Sequence, residues 1–121
     1  MKILVSCPSS IVEFGFNSII NGLFPESIIY SAKHKQSIFS DLPLIEISFC
    51  FISSEILDQY PKLLEDMKMV NPDLRCMVLV PFEKNILDMN YENVDSYVSL
   101  EYSVSSLKKA IYKFIHAAVK K

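Results

Sequence analysis

The sequence predicts an α/β fold: a three-layer, doubly wound, five-stranded parallel sheet. Three observations carry that prediction. Short apolar runs alternate with amphipathic segments five times along the chain. The third run is almost continuously apolar, as in a central parallel strand covered on both faces. The length, 121 residues, suits one domain with a single layered core, and a hydrophobic fraction of 50% argues against disorder. Strand–helix–strand units of this kind join by right-handed crossovers, which places helices on both faces.

Lys2–Ser6 is the first strand, ending in Cys7-Pro8-Ser9-Ser10. Ser9 or Ser10 can cap the helix that follows, because a hydroxyl oxygen accepts from its free N–H groups. Ile11, Phe14, Ile19 and Leu23 recur at near-helical spacing, so Ser10–Leu23 reads as an amphipathic helix with those residues inward. Pro25 ends it. Ser27–Ser31 is the second strand, and the polar segment Lys33–Asp41 is a weak helix at best. Pro43 precedes the third strand, Leu44–Ile52. Ser53 and Ser54 cap a helix over Glu55–Val70, with Ile56, Tyr60, Leu63, Leu64 and Met67 as its inner stripe. Pro61 either kinks that helix or marks its true first turn.

Asn71-Pro72-Asp73 is a turn into the fourth strand, Cys76–Val80, closed by Pro81. Glu83–Tyr91 is a poor helix with Ile86, Leu87 and Met89 inward. Ser96–Leu100 is the fifth strand. Ser103 caps the last helix, Val104–Lys120, the most clearly periodic segment.

Composition excludes several functions. Gly15 and Gly22 are the only glycines, so neither common glycine-rich phosphate loop exists. A net charge of −2 argues against direct nucleic-acid binding. The lysines of the last helix (Lys108, Lys109, Lys113, Lys120 and Lys121) suit its dipole and solvation. Cys7, Cys50 and Cys76 are widely spaced in apolar runs, and read as buried reduced thiols of a cytosolic protein. No segment approaches a membrane span, and no signal peptide is visible.

Several stretches resemble the receiver domains of LuxR/NarL-type response regulators. The opening Met-Lys-Ile-Leu-Val-Ser-Cys-Pro-Ser-Ser resembles their first strand and the turn after it. Asn71-Pro72-Asp73-Leu74-Arg75 with Met77-Val78-Leu79 resembles the turn into their fourth strand. Asp95–Leu100 resembles the fifth, and Ser103–Ile111 the last helix. The resemblance implies a flavodoxin/CheY-like sheet of order 2-1-3-4-5. It also implies a pocket that this chain has lost. The acidic pair that holds Mg²⁺ falls on Cys7 and Pro8, neither of which supplies a hard oxygen. The phosphoacceptor falls near Phe49 to Ile52, with Phe49 and Phe51 in its place, and no aspartate lies between Leu42 and Leu57. The hydroxyl position falls on Val80 and the lysine on Leu100. The switch aromatic is kept as Tyr97.

The resemblance therefore implies a degenerate receiver domain over residues 1–121, similar to those of RcsA-like auxiliary transcription regulators. Its expected role is phosphorylation-independent regulation by dimerisation or protein contact, without catalysis, metal or cofactor. A helix-turn-helix domain is expected to lie beyond Lys121. The expected partner is a second copy or another regulator, with no membrane contact and no direct nucleic-acid contact by this domain. Tyr112, Ile115, His116 and Val119 form a second apolar patch on the last helix. They mark either a partner surface or a deeply packed helix.

Two other readings remain. One is a stand-alone adaptor. The other is a thiol-redox enzyme using Cys7, since a cysteine at a helix N-terminus can favour thiolate; the five-unit count opposes a glutaredoxin-like fold. His34 and His116 read as surface residues, far apart and without metal-ligand spacing. Glu46 either sits at the solvated start of its strand or meets a lysine.

Overall fold

The computed structural model describes residues 1–82 and 91–119, with side chains to residue 117. The helix expected over Glu83–Tyr91 thus lies outside the described residues except for Tyr91, as do the side chains of Ala118 and Val119. The elements are β1 (Lys2–Ser6), α1 (Ser10–Leu23), β2 (Ile28–Ser31), α2 (Lys35–Ser40), a 3₁₀ turn (Leu44–Glu46), β3 (Phe49–Ser53), α3 (Ser54–Gln59), α4 (Leu63–Val70), β4 (Arg75–Val80), β5 (Ser96–Ser99) and α5 (Val104–Val119). The five strands form one parallel sheet, as the alternation predicts, of order β2-β1-β3-β4-β5, as the resemblance implies.

Strand alternation divides the core into two faces. Leu4, Cys50, Ile52, Cys76, Val78 and Val80 pack toward α2, α3 and α4, where they meet Ile38, Ile56, Leu63 and Met67. Ile3, Val5, Phe51, Met77, Leu79 and Val98 pack toward α1 and α5, meeting Phe16, Ile20, Ile111 and Phe114. A strand buried on both faces is apolar at nearly every position, which is why residues 49–52 of β3 and 76–80 of β4 are unbroken apolar runs.

Three expectations are corrected. The run Leu44–Ile52 is not one strand. Its first residues form the 3₁₀ turn, and pairing begins at Phe49. Asn71 is the cause: its Nδ2 donates to the carbonyls of Leu44 (3.0 Å) and Ile47 (2.7 Å), turning that backbone away from the ladder. Asn71 Oδ1 accepts from the Asp73 N–H at 3.2 Å, so one buried amide ties the turn before β3 to the turn before β4. Glu46, in the 3₁₀ turn, meets Lys2 at 3.2 Å.

The helix expected over Glu55–Val70 is two helices. Tyr60 is driven from helical conformation by the proline after it (φ −129°, ψ 80°), and α4 restarts at Leu63. Pro61 therefore breaks the helix rather than bending it.

The inner stripe of α1 is also different. Phe16 and Ile20 are its buried residues, with Ile19 and Leu23 packed beside them. Ile11 and Phe14 are instead 86% and 75% exposed. The helix bounds match the prediction, but apolar spacing alone does not reveal which of two apolar stripes turns inward.

Candidate functional site

In open parallel sheets, ligands meet the carboxyl ends of the strands where the strand order reverses. Here that point lies beyond β1, between its neighbours β2 and β3. Cys7 and Pro8 follow β1 there, and Ser9 caps α1 by accepting from the Val12 N–H at 3.3 Å. The chain past β2 brings in Lys33 and His34. Ser53 ends β3 and caps α3, accepting from the Glu55 N–H at 3.3 Å. Pro8, Lys33, His34, Glu55, Ile56 and Gln59 line a groove of about 370 Å³.

The register corrects one expectation. Ser6 pairs with Ile52, so the next step along β3 sets Ser53 alongside Cys7. Ser53, not Phe49 or Phe51, occupies the end of β3 at the mouth. Phe49 and Phe51 are buried in the α1/α5 side of the core. The rings of Phe51 and Phe114 lie 5.8 Å apart, and those of Phe49 and Phe114 5.6 Å apart. Val80 is buried on the opposite face, and Leu100 is half-buried beyond β5. Tyr97 is half-buried against the α2–α4 side of the core.

Two of the charges at the mouth, Lys33 and Glu13, meet each other. Lys33 Nζ donates to Ser10 Oγ at 2.8 Å and lies 3.9 Å from Glu13 Oε2. A lysine from the β2–α2 loop thus ties that loop to the first turns of α1. Cys7 is only 3% exposed. Burial raises its thiol pKa above the ordinary 9.0; the Ser9 N–H opposes this, and Glu13 and Glu55 add to it. The thiol is therefore neutral near pH 7, the opposite of a reactive thiolate.

Because the folded pKa is raised, the stability held in the neutral thiol is present below pH 9 and falls as pH rises above it. Iodoacetamide at pH 8 is expected to label Cys7 far more slowly in the native protein than in urea. Equal labelling rates in the two states would show that the thiol is not enclosed. Cys50 and Cys76 are likewise free and buried, and pair across β3 and β4.

Mg²⁺ does not fit this mouth. The Cys7 thiol is a soft donor, Pro8 has no side-chain oxygen, Glu13 is engaged by Lys33, and Glu55 alone is one carboxylate where Mg²⁺ needs several hard oxygens. Among the described residues, no group of three or more His, Cys, Asp or Glu side chains is placed to hold a metal ion.

Two further sets of polar contacts hold the β5 edge of the sheet. The Tyr91 hydroxyl donates to Asp58 and reaches the Ser54 carbonyl at 3.5 Å, linking the approach to β5 with α3. Burial and the neighbouring Asp58 carboxylate raise its pKa. Asp95 accepts from the Cys76 N–H at 2.8 Å and pairs with Lys68 (3.1 Å) and Arg75 (3.4 Å), fixing where β5 joins β4.

The patch expected on α5 is only partly a surface. Ile115 is 1% exposed and belongs to the α1/α5 side of the core, so it is not available to a partner. Tyr112 is exposed and stacks between Phe24 (5.9 Å) and His116 (5.2 Å). The side chain of Val119 lies outside the described residues.

Lys33, Glu13 and Ser53 are the mouth residues that the sequence does not reveal. Nothing local marks Lys33, whose partners lie more than twenty residues upstream or close to it. Glu13 carried one signal, as the only charge in α1.

No family model and no curated protein sequence matches this chain. Solved structures do resemble it. The response regulatory domain of protein mrkE from Klebsiella pneumoniae superposes with a TM-score of 0.79 at 11% identity, covering 100% of both chains. A response regulator from Thermotoga maritima gives 0.77 at 18% identity, covering 95% of this chain and 97% of that one. RcsB from Salmonella enterica serovar Typhimurium, bound to promoter rprA with the phosphomimetic BeF3⁻, gives 0.69 at 18% identity, covering 92% of this chain and 65% of that one. The fold is that of response-regulator receiver domains. Among the described residues, no helix is long and apolar enough to cross a membrane.

Proposed function

We propose that this chain is a phosphorylation-independent, degenerate receiver domain of a transcription regulator, similar to the LuxR/NarL type and working by pairing or protein contact. One observation carries the reading. The end of β1 and the end of β3 at the mouth carry the buried thiol of Cys7, Pro8 and Ser53, and the positions that match the family's hydroxyl and lysine are Val80 and Leu100. Phosphoryl transfer needs a metal, a nucleophile and charge compensation in one place. Among the described residues, the lysine that lines the groove, Lys33, is bound to Ser10 and Glu13 instead.

Such a mouth holds one conformation. Phosphorylation moves a receiver only by favouring one state over another, and among the described residues of the mouth the cation Lys33 is already held by Ser10 and Glu13. The likeness to promoter-bound RcsB supports a role beside a DNA-binding domain, which would lie beyond Lys121. The neutral Cys7 thiol counts against the redox-enzyme reading. The adaptor reading differs only in placing no DNA-binding domain after the last helix.

The test is incubation with an acyl phosphate and Mg²⁺, then intact mass spectrometry and sedimentation velocity. The expected outcome is no phosphoryl adduct and an unchanged sedimentation coefficient. A stoichiometric adduct on Ser53, or a changed association state, would overturn the reading.

A further inference from the structure

The solvent side of α1 is unusual for a surface helix. Ile11, Phe14, Gly15, Ser18 and Gly22 lie along it, with Pro25 just beyond the helix end, and none carries a charge. The only charged residue of α1, Glu13, is turned toward Lys33. Two large apolar side chains stand exposed at one end, and glycine marks the other.

The fold itself does not call for those glycines. A Cβ built at Gly15 or Gly22 would meet nothing within 4 Å, and neither glycine has a positive φ. Glycine inside a helix is unfavourable relative to alanine. Neither turn chemistry nor internal packing accounts for them, whereas close approach of a second backbone does.

We propose that this face of α1 is the surface through which two copies of the chain pair, antiparallel and across a two-fold axis near Ser18. The inference rests on the pairing function proposed above. The spacing makes the face self-complementary. A two-fold at Ser18 sets each residue opposite the one equally far on its other side. Phe14 then meets Gly22 of the second copy, and Ile11 meets Pro25. Phe14 and Gly22 are about 12 Å apart along the helix, at ~1.5 Å per residue. The phenyl ring of each copy fills the recess left by the missing side chain of the other. Small residues between them let the axes come close.

Charge favours a second copy as the occupant. A two-fold interface sets every patch against itself, so any charge near its centre meets its like. This face has none to repel. A basic or acidic partner would find nothing on it to pair with.

The test is light scattering and sedimentation equilibrium on the full chain and three variants, with thermal melts alongside. Phe14→Ser removes the knob, and Gly22→Leu fills the recess. The double variant Phe14→Gly/Gly22→Phe exchanges them and preserves the match across the axis. Both single variants are expected to weaken dimerisation at least about tenfold, and the double variant to recover it. Gly22→Leu is expected to keep or raise Tm, so lost pairing there is not unfolding. A wild-type dimer indifferent to all three would overturn this surface while leaving the pairing function intact. A wild-type monomer across the concentration range would overturn both.

Discussion

Ile115→Glu is expected to destabilise the fold severely. Ile115 is 1% exposed, among Phe16, Ile20, Ile111 and Phe114. A carboxylate there either loses its hydration without a partner or takes up a proton in an apolar site, and both are costly. The loss is expected to be about 4 kcal/mol or more, out of the roughly 5–15 kcal/mol typical of a whole domain. Urea unfolding monitored by circular dichroism checks it. Tyr112→Glu, three residues earlier, is the control. Tyr112 is 47% exposed and loses only its stacking on Phe24 and His116, a cost of about 1 kcal/mol. A folded Ile115→Glu variant with a wild-type midpoint would mean that α5 presents a different face to the sheet.

Phe51→Ala is expected to destabilise the fold by about 3–5 kcal/mol. Its ring lies 5.2 Å from Phe16 and 5.8 Å from Phe114, so this one residue of the central strand contacts both α1 and α5. Truncation leaves a cavity bounded by three elements that cannot all collapse into it. Phe51→Leu is expected to cost far less, about 1 kcal/mol, because most of the volume remains. The urea midpoint should fall with the slope unchanged. A double cycle with Phe16→Ala should show coupling of about 1 kcal/mol between the two rings. A Phe51→Ala loss below about 1 kcal/mol would contradict the described packing.

These two residues also show what the sequence discloses. Five alternations of apolar run and amphipathic segment suffice for the layered parallel sheet, since period and burial are local properties. The strand order comes from resemblance, and the register cannot be read at all. Register decides that Ser53, rather than Phe49 or Phe51, ends at the mouth beside Cys7. It is set by long-range pairing, which leaves no mark on β3 alone. The split of Leu44–Ile52 is hidden for a similar reason. The amide that turns its first residues out of the ladder belongs to Asn71, which stands after α4 in the chain. Pro61 leaves two outcomes open, and the restriction on Tyr60 decides between them. At Ile11 and Ile115 the pattern identifies the right helices, but not which apolar stripe faces the sheet. The lack of any aspartate between Leu42 and Leu57 is the most legible part, because a missing carboxylate is visible in any register.

The sheet is narrowest where it is open. Its two edge strands, β2 and β5, have four residues each, while β1, β3 and β4 between them have five or six. The inner strands carry the segments Ile3-Leu4-Val5, Phe49-Cys50-Phe51-Ile52 and Met77-Val78-Leu79-Val80, which are uncharged and rich in β-formers. Such segments are prone to stack into fibrils when their backbone groups go unpaired. Short outer strands give little template for a stray chain, and Lys33 and Lys35 lie just past β2. The four residues of β2 thus cover the apolar edge of β1 behind them.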